Sequence, residues 1–327
     1  MVRNVLVALD GSEFSELSIP WAEAIARRAG ARLHLVLVHV PLAGYSVDLA
    51  PARVLDSWED SHRNREREYL EARAGELRRN GLDAVPEMLE GRPARRLIER
   101  AERDTDLVIL TTHGRGGLER AWLGSVAEEV VHHVTGPVLL IRPDRDGEAS
   151  IAPEPRHVLA ATDGSPAAEA AVREAARLAR LFGAQLTLLR VVDAPGGLTS
   201  PYLPHAAVAD YETVRERDDE AERYLRDLAG RVPPGLHVRT RTFRSYHAAR
   251  GIVNAAAELG ADVVAVGTHR RTRLARAMLG SVADKVVRTA PVPVLVGHRQ
   301  ARNRKIPLGL KRPAIRRPRR NPRDGRR

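Results

Sequence analysis

The sequence predicts an α/β fold: two tandem doubly wound domains, each with a five-stranded parallel sheet covered by helices on both faces. Three observations lead there. Short apolar runs alternate with helix-length amphipathic patterns, the order expected of a parallel sheet. Runs such as LVIL (107–110) and VLLI (138–141) are apolar throughout, as burial on both faces of a sheet requires. The whole scheme is also written twice, and an internal repeat outweighs any single local signal.

The repeat is visible element by element. NVLVALDGS (4–12) returns as HVLAATDGS (157–165), and GARLHLVLVHV (30–40) as GAQLTLLRVV (183–192). TDLVILTTH (105–113) pairs with ADVVAVGTH (261–269), and WLGSVAEEVVHHVTGPVLLIR (122–142) with MLGSVADKVVRTAPVPVLVGH (278–298). The resulting division is a first domain over 1–143, a linker over 144–155, a second domain over 156–298 and a tail over 299–327. The linker is rich in Pro, Gly and acids.

In the first domain the patterns predict strands at 3–9, 32–40, 84–89, 106–111 and 137–142. Helices are expected at 13–29, 58–80, 92–103 and 124–134, and the second domain repeats the scheme. Helix starts have their own signals. Ser125 with Glu128 reads as a capping box, Ser281 with Asp284 as a weaker one, and Ser165 followed by Pro166 as a cap with proline at the first helical position. The charged run 63–79, RNREREYLEARAGELRR, reads as a solvated helix laced with i,i+4 ion pairs.

Composition narrows the function. The chain has 327 residues, enough for two cores, and no cysteine, which excludes disulfides, thiolate nucleophiles and cysteine metal sites. The net charge of +11 belongs to one place: residues 299–327 hold 13 Lys/Arg and one acid, leaving 40 bases against 41 acids elsewhere. No stretch has the length of a signal-peptide core or a membrane span, so a cytoplasmic protein is expected.

Chemistry concentrates in two related loops, TTHGRGGLERAWLGS (111–125) and GTHRRTRLARAMLGS (267–281). In open α/β sheets, ligands sit beyond the carboxyl ends of strands where the strand order reverses. If the first and fourth strands meet there, Asp10 and the loop from Gly114 share a crevice. Gly124-Ser125 then opens a helix whose first amides are unpaired and whose dipole is positive. Glycine admits a phosphate to the backbone, and the Ser125 hydroxyl can donate to it. Arg115 or Arg120 adds charge, His113 can reach phosphate or ribose, and Asp10 suits a ribose hydroxyl or a phosphate-bound Mg²⁺. Taken singly, tight turns and a capping serine explain each feature. Their conjunction, repeated, points to a nucleotide site.

These residues resemble the universal stress protein family, whose nucleotide-binding members carry G-x2-G-x9-G-[S/T] after the fourth strand and Asp-Gly-Ser after the first. The resemblance covers 1–298 as two tandem domains. It implies a sheet order of 3-2-1-4-5, the adenine nucleotide alpha hydrolase-like arrangement, with ATP or a related nucleotide in the crevice. It also implies pairing along the last strands, within the chain or in a homodimer, and an adenine lying against Val40. Copy one departs from the motif at Thr111, where the opening glycine is expected, but keeps Gly114, Gly124 and Ser125. Copy two keeps Gly267, Gly280 and Ser281, with Asp163, Val192 and His269 in the matching places, but Arg270 replaces a glycine. That substitution ranks the first site above the second, although Arg270 could clamp a phosphate.

No G-x4-G-K-[S/T] loop and no G-x-S-x-G elbow is present. The expected protein is therefore a nucleotide-responsive regulator, not a dedicated enzyme, with slow ATP hydrolysis left open. His132-His133 point to different helix faces, which argues against a shared metal. The alternatives are an interaction module with degenerate sites, or a polyanion binder working through its tail. The tail's Arg pairs are separated by prolines and no aromatic is interleaved, so RNA, DNA or anionic lipid would be bound without sequence preference.

Overall fold

A computed structural model describes residues 2–41, 52–112, 123–142, 153–193, 204–268 and 280–298, and side chains of 52–56 and 204–214 are not among them. The first copy contains β1 (Asn4–Leu9), α1 (Glu13–Glu16), α2 (Ile19–Ala29), β2 (Arg32–His39), α3 (Ala52–Arg79), β3 (Ala84–Glu90), α4 (Pro93–Asp104), β4 (Leu107–Thr111), α5 (Ser125–His133) and β5 (Val138–Ile141). The second contains β6 (His157–Ala161), α6 (Pro166–Phe182), β7 (Gln185–Val192), α7 (Pro204–Gly230), β8 (Val238–Arg244), α8 (Ala248–Leu259), β9 (Val263–Thr268), α9 (Ser281–Thr289) and β10 (Val294–His298).

Each half is a five-stranded sheet in the order expected, β3-β2-β1-β4-β5 and β8-β7-β6-β9-β10, with every pairing inside a half parallel. The halves join edge to edge. β5 and β10 pair antiparallel, Leu139 opposite Leu295, giving one ten-stranded sheet. Two apolar layers, one on each face, run through both halves: one holds Ile25, Leu70, Val172 and Leu225, the other Leu97, Val130, Ile252 and Val286. Pairing the last strands leaves neither of them as a bare edge.

Side chains lock this seam reciprocally. Arg142, just past β5, donates to the carbonyls of Arg288 (2.5 Å) and Val287 (3.4 Å) in the last turn of α9. His298, ending β10, contacts the Val131 carbonyl of α5 at 2.7 Å through Nε2. A donor from each copy thus meets carbonyls at the C-terminal end of the other copy's last helix, where the dipole is negative. Burial lowers the Arg142 pKa without threatening its charge. Arg288 adds a bond to Glu128 of α5 at 3.1 Å.

The structure departs from the sequence expectations in three places. The helix expected over 13–29 is two pieces, because Pro20 near the start of α2 has no N–H to carry the ladder across Leu17-Ser18. Buried Ser15 and Ser18 take over, donating to the carbonyls of Ser12 (2.8 Å) and Ser15 (2.6 Å). In copy two the proline is Pro166, the first helical residue, so α6 runs unbroken. Second, Ser125 and Ser281 are not N-caps. Gly124 and Gly280 hold that position, and each serine is the first helical residue, so neither capping box forms. The Ser165 cap does form, its side chain accepting from the Ala168 amide at 3.2 Å. Third, α3 is not solvated all round: Glu66, Leu70, Ala74 and Leu77 are buried, forming a stripe at helical spacing against the sheet.

Candidate functional site

The strand order reverses between β1 and β4, and open α/β sheets take their ligands in the crevice beyond the carboxyl ends of the strands at such a reversal. Asp10 follows β1 directly. Its Oδ1 accepts from the Ser12 amide at 3.0 Å and the Ser12 hydroxyl at 2.5 Å, and Gly11 between them sits at φ 77°. That left-handed conformation is one glycine adopts without strain. Ser12 in turn caps α1, accepting from the Ser15 amide at 3.2 Å. Asp10 therefore shapes the turn at the carboxyl end of β1.

Across the crevice, Thr111 ends β4 and is buried with Thr112. The chain returns at Gly124, whose amide donates to the Thr112 carbonyl at 2.7 Å. This bond sets the start of α5 over the end of β4. Gly124 adopts φ −57° and ψ 146° and, like any glycine, brings no side-chain acceptor to the first-turn amides. Ser125 stands exposed at the first helical position. The acid of that first turn, Glu128, is held by Arg288, so its charge is partly offset where the helix dipole is positive. Val40, just past β2, keeps 37% of its surface exposed, an apolar side chain left uncovered beside the crevice.

Copy two repeats the layout with differences. Asp163 is exposed and its Oδ1 accepts from the Ser165 amide at 2.9 Å, again across a left-handed glycine, Gly164 at φ 83°. Gly280 adopts φ −56° and ψ 145°, within a degree of Gly124, and Ser281 starts α9. Gly267, read from the sequence as a ligand glycine, makes room for α6, since a Cβ there would lie 2.4 Å from the Ala167 backbone. Neighbouring Thr268 is buried, and its hydroxyl has no hydrogen-bond partner among the described residues. Strand register also corrects one correspondence. Asn4 pairs with Arg32 and His157 with Gln185, so Val192 matches His39, and Asp193 matches Val40. His113, Gly114, Arg115, Arg120, His269 and Arg270 lie outside the described residues.

Sequence reasoning missed a polar cluster beside the first crevice. His39, at 1% exposure, bonds Glu66 through Nδ1 at 2.6 Å and Glu59 through Nε2. Burial pulls His39 toward its neutral form, but both carboxylates outweigh it and its pKa is raised. The signal was present in outline. Glu59, His62 and Glu66 fall at i, i+3 and i+7 on one helix face, but only the docking of α3 on β2 brings His39 to them.

Comparison with known proteins fits the architecture. The sequence pattern of the Universal stress protein family matches residues 1–142 and 154–298, once per copy. The chain belongs to this family. A universal stress protein of Mycolicibacterium smegmatis is 30% identical over 298 residues, covering 90% of this chain and 96% of the relative. A universal stress protein of Mycobacterium tuberculosis strain H37Rv is also 30% identical, over 311 residues with the same coverage. Among solved structures, a universal stress protein from Archaeoglobus fulgidus superposes with a TM-score of 0.62 at 21% identity, covering 91% of this chain and 97% of its own. That last likeness speaks to fold alone. No helix among the described residues is long and apolar enough to cross a membrane.

Proposed function

We propose that this tandem universal stress protein binds ATP or a related adenine nucleotide in its first copy, and acts as a cytoplasmic nucleotide-responsive regulator of a stress response. The observation that carries this reading is the bond from the Gly124 amide to the Thr112 carbonyl. It holds a helix start without a side-chain cap over the strand ends where Asp10 stands. First-turn amides, which have no partner within the helix, and the helix dipole would attract the phosphates, and the Ser125 hydroxyl would add a donor. Val40 offers apolar surface to the base.

Asp10 would meet the ribose or a nucleotide-bound Mg²⁺, an ion that commonly binds through one or two carboxylates plus phosphate oxygens. The donor set fits that use, with Asp10 Oδ1 also engaged by Ser12. His113, Gly114 and Arg115 would complete the phosphate loop. The second copy, with Asp163, Gly280 and Ser281, would bind more weakly. The sequence offers neither a G-x-S-x-G elbow nor a P-loop lysine to support a dedicated enzymatic role. The division at 1–143, 144–155, 156–298 and 299–327 is part of the same proposal.

The test is equilibrium binding of ATP, with and without Mg²⁺, to wild type and Gly124→Glu. The backbone at Gly124 accepts a side chain, and the new carboxylate would occupy and repel the phosphate position. Loss of binding is expected; unchanged affinity would refute the site. The Arg-rich composition of 299–327 favours a second, separable activity on polyanions. Deleting those residues should abolish RNA binding and spare ATP binding; RNA binding that survives the deletion would refute a role for the tail.

A further inference from the structure

The corner where α3 crosses the end of β2 holds a donor set that the nucleotide reading does not use. Glu66 sits between two imidazoles: its Oε2 lies 2.6 Å from His39 Nδ1, and its Oε1 lies 3.4 Å from His62 Nδ1. One ligand atom from each of these three residues falls within 4.8 Å of the others. The remaining nitrogen of His39, Nε2, is hydrogen-bonded to Glu59. The side chain of His62 is 40% exposed, that of Glu66 10% and that of His39 1%, so the cluster is closed below and open toward solvent on one side.

We propose that His39, His62 and Glu66 form a binding site for a divalent transition-metal ion of the zinc type, with Glu59 orienting His39. Two imidazole nitrogens and one carboxylate make a three-ligand zinc site, and the exposed side at His62 leaves the fourth position to water. His39 would ligate through Nδ1 while its Nε2–H donates to Glu59, the outer carboxylate that fixes the tautomer and raises the basicity of a metal-bound histidine. Tetrahedral ligands at roughly 2.1 Å from an ion lie about 3.4 Å from each other. Glu66 reaches His62 at that separation through Oε1 and His39 more closely through Oε2, so metal binding would turn one Glu66 oxygen toward both rings and draw the ligand atoms, now within 4.8 Å of one another, together. The absence of any thiolate and the presence of a carboxylate favour zinc over copper(I).

Copy two shows that the architecture does not need these groups. Strand register places Val192 where His39 stands. The Tyr69-Leu70 and Tyr224-Leu225 pairs align α3 with α7, which places Ala221 at Glu66 and Arg217 at His62. Val192 and Ala221 are both buried. The buried part of this corner is thus Val192 and Ala221 in one half, with Arg217 exposed at its edge, and His39 and Glu66 in the other, with His62 at its edge. Burying charged groups costs more than burying hydrocarbon of similar size, so packing gives no reason for them. Arg63 lies 3.6 Å from Glu59, and a divalent cation in place of one proton on His39 would balance Glu66. It would also tie α3 to the last residue of β2, one position before Val40.

The experiment uses the full-length chain, stripped of metal with a chelator and held free of nucleotide, so the outcome does not depend on ATP binding. Zinc ion is titrated in competition with a chromophoric chelator, and bound metal is counted by elemental analysis. His62→Ala removes a partly exposed ligand without opening the core, and circular dichroism confirms that it and the other variants fold. Wild type is expected to take one zinc per chain. His62→Ala and Glu66→Gln should weaken it by about 100-fold and Glu59→Gln by about 10-fold, within the range for lost outer-carboxylate support. With cobalt(II) substituted, the visible absorption of a four-coordinate site should appear in wild type and vanish in His62→Ala. No stoichiometric zinc in wild type, or equal zinc affinity in wild type, His62→Ala and Glu66→Gln, would overturn the proposal.

Discussion

The two halves of this protein share a topology but solve its corners differently, and the differences separate what the fold requires from what one copy adds. In copy two, the Ala-rich helix α6 lies almost on the sheet. Gly267 and Gly297 make room for it: a Cβ at either would come within 2.4 Å of the helix backbone. In copy one the matching strand positions are Thr111 and Ile141, and the helix above them is broken into α1 and α2. The contrast recasts the opening glycine of the nucleotide motif. In copy two it serves close helix packing, and where packing is looser Thr111 is accommodated.

The largest effect should therefore come from exchanging these residues. Gly297→Ile in copy two should lower stability by roughly 3 kcal/mol or more, since backbone blocks the new side chain. Ile141→Val in copy one should cost only ~1 kcal/mol. Urea unfolding followed by fluorescence and circular dichroism would compare them, and similar midpoints for both variants would contradict the packing account.

A second contrast lies between sheet and α4. In copy one, Arg100 donates to Glu87 through Nε and Nη2 at 2.5 and 2.8 Å and to Asp104 at 2.7 Å, while His34 meets Glu87 at 2.6 Å. In copy two, His157 and Thr187 share a bond between a ring nitrogen and a hydroxyl at 2.8 Å, and Arg241 meets Glu258 only at the surface. Arg100→Met should destabilise by about 2 kcal/mol, below the value for a fully buried pair because Glu87 is partly exposed. Arg241→Met should change stability by less than ~0.5 kcal/mol.

Two glutamates, Glu87 in copy one and Glu174 in copy two, make pH a probe of opposite sign. Bonding to Arg100 holds the Glu87 pKa below the usual carboxylate value, against burial, with His34 assisting. Its contribution is present above the unfolded glutamate pKa and is lost as pH falls through the lowered folded one. Burial raises the Glu174 pKa on α6 despite Arg177. Its contribution is present below the unfolded pKa and is lost as pH rises through the folded value. Acid titration of unfolding midpoints should show Glu87→Gln converging on wild type at low pH, and Glu174→Gln converging there from greater stability at neutral pH. The reverse pattern would contradict the assigned causes.

A last contrast concerns caps. Ser165→Ala should cost ~1 kcal/mol, whereas Ser125→Ala should cost a few tenths, because Gly124 and not Ser125 holds the cap position. Equal losses would revive the capping box.

Much of this is legible in the sequence because a repeated pattern constrains itself. Strand ends agree to within a residue or two, and the reversal between β1 and β4 brings Asp10 and Gly124 to one side of the sheet. What escapes depends on distances between segments far apart in sequence. The glycine of GTH (267–269) looks like a loop glycine until α6 is seen resting on it. The run from Arg63 to Arg79 looks solvated because charge dominates its composition, yet every third or fourth residue is buried. His39 reads as one more strand residue until α3 brings Glu59 and Glu66 to its two nitrogens.

The central claim is that the first copy holds the nucleotide, and ATP stoichiometry by isothermal titration across wild type, Gly124→Glu and Gly280→Glu tests it most directly. About one tight site per chain is expected in wild type and in Gly280→Glu, and none in Gly124→Glu. Wild-type affinity in Gly124→Glu, or loss of the tight site in Gly280→Glu, would contradict it.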